Sequence, residues 1–426
     1  MGQALNDPGR AALPRGFHRL IAAQFCSALA DNALLIVTIA LLQQLQLAPW
    51  WAPMLKFGFT LAYVLLAPFV GPLADAVPKA QLMAWMNGLK MVGVASLLAG
   101  VHPVLGFSIV GLGAAAYAPA KYGLITEMVR PHQLVAANGW IEVSVVCAVL
   151  AGTVCGGFLV SPGWLQQAAA APGLPAWLGG GALASSLLAV LGVHGLAAWL
   201  NRGIPDSGAR YPASSLHLGE LTVQFWRDNR RLWQDREGGL SLAVTTLFWG
   251  VGATLQFIVL RWAGENLGLP LSQAAYLQGV VALGVIGGAG AAGRWVPLHA
   301  ARHMLVCGVL LGLAMPLLAP LTHLGASVPI LVMVGAVGGL LVVPLNALLQ
   351  HRGCQVLSAG RSIAVQGFNE NASILLMLAG YSALVALQVP LLWLMSGFGL
   401  AIAAVIAMLM LRERRRDVTA GPPILP

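Results

Sequence analysis

The chain has 426 residues, of which 58% are hydrophobic and only 9% are charged, and it carries a formal net charge of +9. About 25% of the residues of an ordinary soluble domain are charged, so this composition excludes a soluble globular protein and indicates that lipid surrounds much of the chain. The basic residues are scattered between apolar segments, which favours a membrane-topology signal over a nucleic-acid surface. The five cysteines show no CxxC or zinc-ligand spacing, so we expect no disulfide framework.

Apolar segments of about twenty residues recur along the whole chain, which is the length that an α-helix needs to cross a bilayer. They are continuously apolar instead of alternating with a period of two, and this predicts helices rather than a β-barrel. The first segment is too long for a signal peptide and has no processing site, so we expect no cleavage there. We therefore predict an all-α polytopic membrane protein with about twelve transmembrane helices, near 18–43, 53–74, 80–100, 104–126, 134–160, 176–200, 239–263, 273–295, 302–322, 327–349, 360–386 and 390–411.

The basic residues also predict the orientation of these helices. The connections 45–52, 161–175 and 386–390 contain no lysine or arginine, whereas each alternate connection contains at least one and both chain ends contain several. Only Arg261 stands clearly on the other side. Because basic loops stay on the cytoplasmic side, both termini and the central segment are expected in the cytoplasm. The basic residues assigned to that side are Arg10, Arg15, Arg19, Lys79, Arg130, Arg202, Arg210, Arg227, Arg230, Arg231, Arg236, Arg294, Arg302, Arg352, Arg361, Arg412, Arg414, Arg415 and Arg416.

One long polar connection divides the spans into two blocks of six. We predict an N-terminal six-helix bundle at 1–200, a cytoplasmic central linker at 201–238 and a C-terminal six-helix bundle at 239–426. The linker contains an amphipathic stretch at 218–233, which is typical of a helix lying on the membrane surface. A binding site for a cytoplasmic partner is the alternative interpretation of this stretch.

The two blocks share an internal repeat. Gly139-Trp140-Ile141-Glu142 matches Gly367-Phe368-Asn369-Glu370, and in both blocks the motif Leu-Ala-Gly follows at the same distance. Upstream, Pro119-Ala120-Lys121 aligns with Pro344-Leu345-Asn346. The fifth span thus resembles the eleventh and the fourth resembles the tenth. A parallel repeat of this kind is typical of transporters whose two six-helix halves move about a central site.

Polar side chains within the spans predict a polar path through the membrane. A carboxylate at bilayer depth costs about 2.5–3.5 kcal/mol and persists only next to a partner or a wet cavity, and Asp31 lies in the middle of the first span beside Asn32. The residues predicted to line the path are Asp31, Asn32, Lys90, Lys121, Glu142, Asn346, Gln366, Asn369 and Glu370.

These residues leave structural alternatives open. Asp31 and Lys90 can instead form structural ion pairs, and Lys121 can snorkel to the cytoplasmic surface. Glu142 and Glu370 can pair with loop arginines. Near the predicted cytoplasmic surface, Asp75, Lys79 and Arg130 are expected to form a latch that holds one conformation, and not to touch substrate.

The remaining motifs favour packing over chemistry. The glycines at 284, 287, 288 and 290, and those at 335, 338 and 339, indicate close helix packing. The sequence has no GxxxxGK, so direct coupling to ATP is not expected. It has no HExxH, and no histidine is followed five positions later by aspartate. We therefore expect a transporter, not an enzyme, with no cofactor and no metal ion.

Short segments spread over nearly the whole chain carry a family resemblance. They are Ala23-Gln24-Phe25 with Asp31-Asn32-Ala33-Leu34-Leu35, Ala67-Pro68-Phe69-Val70-Gly71, Ala74-Asp75, Asn87-Gly88-Leu89-Lys90, Gly113-Ala114-Ala115-Ala116-Tyr117, Pro119-Ala120-Lys121-Tyr122-Gly123, Ala137-Asn138-Gly139, Leu247-Phe248-Trp249-Gly250, Val343-Pro344-Leu345-Asn346-Ala347-Leu348-Leu349-Gln350 and Ile363-Ala364-Val365-Gln366. In these segments the chain resembles the major facilitator superfamily and, more closely, the bacterial lysophospholipid transporter family. One position departs from that family, because Gln256 stands where the family has arginine and an arginine follows only at Arg261.

The resemblance implies a flippase that moves lysophosphatidylethanolamine and lysophosphatidylglycerol from the outer to the inner leaflet of the bacterial cytoplasmic membrane. A cytoplasmic acyltransferase, which is also an acyl-carrier-protein synthetase, then reacylates them. The chain stops at Pro426, so that partner is expected to be a separate protein. Membrane lipids are the other expected partners, and nucleic acid is not.

The residue chemistry fits this implication but allows two other functions. A lysolipid headgroup needs fixed cations for its phosphate and a carboxylate for its ammonium, and the candidate residues supply both signs. A proton-coupled exporter of amphipathic drugs is the main alternative, since a buried carboxylate also suits a proton carrier. A membrane-bound lipid enzyme is the third interpretation, and detecting acyl transfer by the purified chain would support it.

Overall fold

The computed structural model describes residues 14, 16–47, 51–170, 182–211, 217–269 and 271–419. Arg10, Arg15 and the beginning of the sixth predicted span, 176–181, lie outside the described residues. Fourteen α-helices make up most of the described chain: α1 Phe17–Gln44, α2 Trp51–Ala76, α3 Lys79–Leu98, α4 Pro103–Met128, α5 Leu134–Leu159, α6 Pro162–Ala170, α7 Ala182–Arg202, α8 Leu218–Gln234, α9 Arg236–Leu267, α10 Leu271–Trp295, α11 Leu305–Leu318, α12 Leu324–Val356, α13 Ala359–Ala386 and α14 Leu391–Thr419.

Each of the twelve predicted spans overlaps one of these helices. Within the described ranges, ten helices are long and apolar enough to cross a membrane by themselves. The other two predicted spans correspond to α3 and α13, whose apolar runs are interrupted by side chains such as Lys90 and Glu370. The prediction of an all-α membrane protein is confirmed.

Two helices lie outside the twelve predicted spans. The nine-residue α6 occupies part of the connection 161–175, and α8 occupies the linker over nearly the range of the amphipathic stretch. The linker helix α8 begins with Glu220 in its first turn and has Arg231 in its last turn. These charges stabilise the two ends of the helix dipole, since anions are favoured at the N-terminus and cations at the C-terminus.

The chain divides into two compact units. Unit 1 comprises Met1–Ala137, Ser144–Gln234 and Gln350–Asn371, and unit 2 comprises Asn138–Val143, Asp235–Leu349 and Ala372–Pro426. The division predicted from the sequence, at 1–200, 201–238 and 239–426, stays a prediction.

In unit 1, α4 packs against α2 and α3, and α7 packs against α1 and α3. The contacts between α1, α3 and α7 bury a continuous apolar cluster that includes Leu34, Val94 and Val190. At one end of unit 1, the ends of several helices lie near the linker helix. We call this the linker end of unit 1, where α2 and α4 end, α3 and α13 begin, and α8 lies.

In unit 2, α10 packs against α9, and α11 packs against α14. The apolar core of this unit surrounds Trp262, which is fully buried, together with Met315 and Ile406. Two ion pairs between helix ends, Arg302–Glu237 at 2.5 Å and Arg236–Glu413 at 3.1 Å, lie at its margin.

Glycines allow α10 and α12 to touch backbone to backbone within unit 2. A Cβ atom on Gly284 or Gly288 would overlap the carbonyl oxygen of Val332 or Ala336. Gly335 and Gly339 are equally confined on the α12 side. The predicted packing role is thus confirmed for these four glycines, which follow the small-xxx-small spacing of close helix pairs.

Gly287 and Gly290 differ from this set, because a Cβ atom at either position would meet nothing within 4 Å. Close packing was therefore the wrong interpretation for these two glycines. The reason is geometric, since they lie between the positions that share the contact face at a spacing of four residues.

We predict that Gly288→Ala destabilises the protein and that Gly287→Ala does not. The added methyl group at Gly288 forces α10 away from Ala336, and overpacking of this kind costs about 1–3 kcal/mol. The measurement is the midpoint of thermal unfolding of the purified full chain in detergent. Equal midpoints for the two variants would contradict the close contact of α10 with α12.

Candidate functional site

A buried ion pair between α1 and α3 forms the centre of the site in unit 1. Lys90 Nζ lies 2.6 Å from Asp31 Oδ2, and the side chains are 2% and 16% exposed, respectively. Lys90 Nζ also donates a hydrogen bond to Ser27 Oγ at 3.0 Å. Asp31 therefore points at α3 and into the interior of unit 1, where its charge has a partner.

Uncharged polar groups surround this pair. Ser27 Oγ donates to Asn87 Oδ1 at 2.8 Å, and Gln24 Nε2 donates to Ser144 Oγ at 2.9 Å. His194 of α7 is fully buried, and its Nε2 atom lies 3.7 Å from Asp31 Oδ1. The ring centroid of Tyr117 lies 5.2 Å from Lys90 Nζ, within the range of a cation–π interaction.

Five helices therefore contribute polar groups to one region, which we call the Asp31 cluster: Gln24, Ser27, Asp31, Asn87, Lys90, Tyr117, Ser144 and His194. Such a cluster is costly inside a membrane protein unless each member finds partners. It holds one carboxylate and one ammonium group side by side, with donors and acceptors around them. The cluster thus has the chemistry to exchange its internal ion pair for the two charges of a zwitterion.

Six of the eight members of this cluster were not predicted, although the sequence holds signals for some of them. Gln24, Ser27 and Asp31 are spaced by three and four residues, which places them on one face of α1. His194 interrupts an otherwise apolar run in α7. No comparable signal marks Ser144 or Tyr117, since serine and tyrosine are common in membrane helices.

Other candidates from α1 and α4 have separate contacts. Asn32 Nδ2 donates to the carbonyl oxygen of Ala28, one turn earlier in α1, at 2.8 Å. Lys121 is buried, and its Nζ atom lies 4.2 Å from the ring centroid of Tyr122. Their predicted contact with substrate stays a prediction.

The candidates from the repeat motifs are distributed over both units. Glu142 and Asn346 are buried residues of unit 2. Gln366 and Glu370 belong to unit 1, where Gln366 Nε2 donates to Glu370 Oε1 at 2.7 Å. Asn369 lies against the linker helix: it donates to Asn229 Oδ1 at 2.9 Å and accepts a hydrogen bond from Trp233 Nε1 at 3.1 Å.

The predicted latch residues lie in a second charged group, at the linker end of unit 1. Lys79 Nζ lies 2.6 Å from Glu127 Oε1 and 3.7 Å from Asp75 Oδ1. The closest partner of Lys79 is therefore Glu127, which the sequence analysis had not selected. Arg130 is exposed, and its backbone amide donates to Gln133 Oε1 at 3.2 Å.

The segment that follows α7 also binds to Glu127. Tyr211 donates its hydroxyl hydrogen to Glu127 Oε1 at 2.9 Å, and Ser207 donates to Oε2 at 2.5 Å. Burial of the Tyr211 phenol and the neighbouring Glu127 carboxylate raise the pKa of Tyr211 above its usual range. Tyr211 therefore stays a neutral hydrogen-bond donor throughout the physiological pH range.

The start of α13 is attached to α2 at the same end of the unit. Asp75 accepts a hydrogen bond from the backbone amide of Gly360 at 2.9 Å and another from the hydroxyl of Ser358. Arg361 Nε donates to Asp228 Oδ2 of the linker helix at 2.6 Å. The Asp228 side chain is only 5% exposed. Removing either partner of this largely buried pair would leave the charge of the other uncompensated.

The apolar residues of α8 strengthen this attachment. The rings of Phe225 and Trp226 each make a T-shaped contact with the ring of Phe368, with centroid distances of 5.3 and 5.4 Å. Phe225 and Leu232 are buried within the protein. Part of the apolar face of the amphipathic helix thus covers protein, whereas Leu218, Val223 and Trp226 stay exposed, and the predicted position of this helix on the membrane surface stays a prediction.

Comparisons with known proteins identify the superfamily and the fold. The sequence model of the Major Facilitator Superfamily matches residues 20–368. A bacterial homologue of the iron transporter ferroportin in an outward-facing state superposes with a TM-score of 0.69 at 16% identity, over 93% of this chain and 99% of that one. The transporter FucP in an outward conformation superposes with a TM-score of 0.67 at 15% identity, over 92% and 98%. At these identities the likeness concerns the fold alone.

The sequence relatives are more specific. The lysophospholipid transporter LplT of Pectobacterium carotovorum is 41% identical over 387 residues, which are 91% of this chain and 90% of that protein. LplT of Shigella flexneri and LplT of Escherichia coli K12 are each 40% identical over 402 residues, 94% of this chain and 96% of theirs. The chain belongs to the Major Facilitator Superfamily and, within it, to the lysophospholipid transporter family.

Proposed function

We propose that this protein moves lysophospholipids from the outer to the inner leaflet of the bacterial cytoplasmic membrane, with lysophosphatidylethanolamine and lysophosphatidylglycerol as its main substrates. The observation that carries the proposal is the 40% identity to lysophospholipid transporters over 94% of the chain. The Asp31 cluster supports it independently, because it offers both charges that a phosphoethanolamine headgroup requires.

The substrate exchanges ionic partners with the cluster. Before binding, Asp31 and Lys90 neutralise each other at 2.6 Å. The substrate ammonium then binds Asp31 and the substrate phosphate binds Lys90, so one ion pair is replaced by two and no buried charge is left alone. Lysophosphatidylglycerol lacks the ammonium, and its glycerol hydroxyls donate hydrogen bonds to Asp31 instead.

The remaining predicted site residues take secondary roles in this proposal. Lys121 in α4 and the Gln366–Glu370 pair in α13 line the path that the headgroup follows. Glu142 and Asn346 belong to unit 2, and their predicted contact with substrate stays a prediction. The single acyl chain stays against lipid or an apolar groove, since transferring it through a polar path would cost about 0.8 kcal/mol per CH₂ group.

In this proposal the linker end of unit 1 and both termini face the cytoplasm. The support is the charge bias, because lysine and arginine concentrate at this end and are missing from the connections at the other end. Lysophospholipids delivered there are reacylated by a separate acyltransferase. The chain itself transfers no acyl group.

The linker-end contacts control access from the cytoplasm. Asp75 and Asp228 both bind the beginning of α13, and we assign to them the latch role predicted for Asp75, Lys79 and Arg130. When these contacts hold, α13 stays against α2 and α8. When they break, the linker end opens and the headgroup leaves.

The test is a transport assay with the purified chain in vesicles. A fluorescent lysophosphatidylethanolamine is added outside, and the fraction protected from a membrane-impermeant quencher is measured with and without a proton gradient. We expect protein-dependent protection that far exceeds that of protein-free vesicles. Gradient-dependent efflux of an amphipathic cation without lysolipid movement would instead establish the drug-exporter function.

A further inference from the structure

A cavity of about 590 Å³ lies between α2 and the linker helix α8 in unit 1. This volume is within the range of about 300–1,000 Å³ that is usual for small-molecule sites. Its lining contains no member of the Asp31 cluster. The cavity is therefore a different place from the proposed transport site and needs its own explanation.

Apolar residues from two helices form part of the lining of the cavity. α2 contributes Ala67, Pro68 and Pro72, and α8 contributes Leu221 and Val223. From Pro72 to Ala67 the wall extends five residues along a membrane-spanning helix, or about 7.5 Å at a rise of 1.5 Å per residue. The first carbons of an acyl chain fit against a wall of this length and composition.

The lining of the cavity includes one positive and one negative charge that no other described residue neutralises. Arg227 and Glu220 line the cavity from α8 and are both exposed. Neither forms a salt bridge with another of the residues that the structure describes. The other charged residues of the lining, Asp75, Asp228 and Arg361, are already held by the contacts at the start of α13.

The position of α8 brings these charges to the membrane interface. Residue Arg236, where the membrane-spanning helix α9 begins, follows two residues after α8 ends. Glu220 and Arg227 are seven positions apart, so they lie on one face of α8, two turns from each other. A ligand with an anionic and a cationic group above an apolar chain matches this arrangement.

We propose that this cavity binds an ethanolamine glycerophospholipid of the leaflet next to the linker end. Arg227 binds the phosphate, Glu220 binds the ammonium, and an acyl chain lies along Ala67, Pro68 and Pro72. The bound lipid fills the space between α2 and α8. The proposal rests on the cavity and its charges and does not depend on the proposed transport function.

The experiment measures phosphatidylethanolamine bound to the purified full chain, by native mass spectrometry after titration in detergent. Arg227→Gln removes the charge-assisted hydrogen bond to the phosphate and is therefore expected to weaken binding by about tenfold. Val223→Trp, which fills the cavity, is expected to do the same. Arg230→Gln is the matched control, because Arg230 is exposed on α8 and does not line the cavity.

Unchanged binding in both Arg227→Gln and Val223→Trp, with folding verified by circular dichroism, would overturn the proposal. Phosphatidylglycerol is the headgroup control, and binding as tight as that of phosphatidylethanolamine would overturn the assignment of Glu220. Diacyl and lyso forms are titrated separately. Binding of the diacyl form supports a bilayer lipid as the occupant, and binding of the lyso form alone would overturn the proposal.

Asp31→Asn separates this proposal from the proposed function. The variant is expected to bind phosphatidylethanolamine like the unmodified chain while losing lysolipid transport. Normal transport by the unmodified chain together with absent lipid binding would reject the cavity site alone. Lipid binding without any transport would reject the transport function and leave the cavity site intact.

Discussion

Asp31→Asn should abolish lysophospholipid movement in the vesicle assay and lower the stability of the folded protein. The asparagine keeps the shape of the side chain but leaves the Lys90 ammonium, only 2% exposed, without its carboxylate. Removing one partner of a buried ion pair lowers the free energy of unfolding by about 3–5 kcal/mol. The two measurements are the quencher-protected fraction of lysolipid and the thermal unfolding midpoint in detergent.

The double variant Asp31→Asn with Lys90→Met distinguishes a structural ion pair from a substrate site. Replacing both charges by uncharged groups is often neutral or stabilising by about 1–4 kcal/mol, so we expect the unfolding midpoint to recover. Transport should not recover, because neither charge remains for the headgroup. Recovery of transport along with stability would reduce the pair to a structural role.

A surface ion pair provides the matched control for this experiment. Arg261 and Glu265 lie 2.6 Å apart on one face of α9, with side chains 27% and 48% exposed. Exposed pairs of this kind contribute about 0–1 kcal/mol, so Glu265→Gln should leave stability almost unchanged. A large drop in the unfolding midpoint of Asp31→Asn but not of Glu265→Gln would show that the effect comes from the buried charge of Lys90. Loss of a carboxylate as such would affect both variants equally.

The fold was largely predictable from the sequence because the bilayer imposes strong constraints. A span must be about twenty apolar residues long, and each of the twelve predicted segments overlaps a helix. The depth of Asp31 within α1 was also readable, as was the spacing of Gly284 and Gly288. These features depend on local composition and helical period, which a single sequence displays.

Partners distant in the sequence were not predictable in the same way. Asp31 and Lys90 are separated by 59 residues, and their contact depends on how α1 packs against α3 and α7. Glu127 at the end of α4 was not among the predicted residues, yet it is the closest partner of Lys79. Nothing in the sequence tells which helices will be neighbours.

The linker helix shows a second limit of sequence reasoning. Its amphipathic pattern identified a surface with one apolar face, but the pattern does not reveal whether lipid or protein covers that face. The structure places Phe225 against Phe368 and leaves Arg227 and Arg230 exposed. Amphipathicity therefore predicted the helix correctly, but it did not predict that Phe225 and Leu232 pack against protein.

Charge reversal at the pair between the linker helix and α13 should have the second large effect. In the unmodified protein Arg361 donates to Asp228 at 2.6 Å. In Asp228→Arg, the new guanidinium faces Arg361 instead. Repulsion replaces attraction at a position that is only 5% exposed, so the beginning of α13 should separate from α8. We expect lysolipid transport to fall strongly, and the reverse change, Arg361→Asp, to act in the same way.

The native cysteine Cys354 reports this separation directly. Its Sγ atom donates to Thr126 Oγ1 at 3.3 Å, and the side chain is partly buried in unit 1. In a chain whose other cysteines are replaced by alanine, opening of the linker end exposes Cys354 to a maleimide. Loss of a buried pair destabilises the closed linker end by about 3–5 kcal/mol. The open state is then more populated, and the labelling rate of Cys354 in Asp228→Arg should rise by about tenfold or more.

The exchange variant decides between a specific pair and a general loss of structure. Asp228→Arg combined with Arg361→Asp places opposite charges together again, so transport and slow labelling of Cys354 should both return. Arg230→Asp, an equally large change on the exposed side of the same helix, should leave both unaffected. If the exchange variant stayed as open as the single variants, the contact of Asp228 with Arg361 would not be what holds α13 against the linker helix.

Asp75 binds Gly360 independently of Asp228, so a chain that keeps Asp75 should still close partially. Asp75→Asn combined with Asp228→Arg should open the linker end further than either change alone.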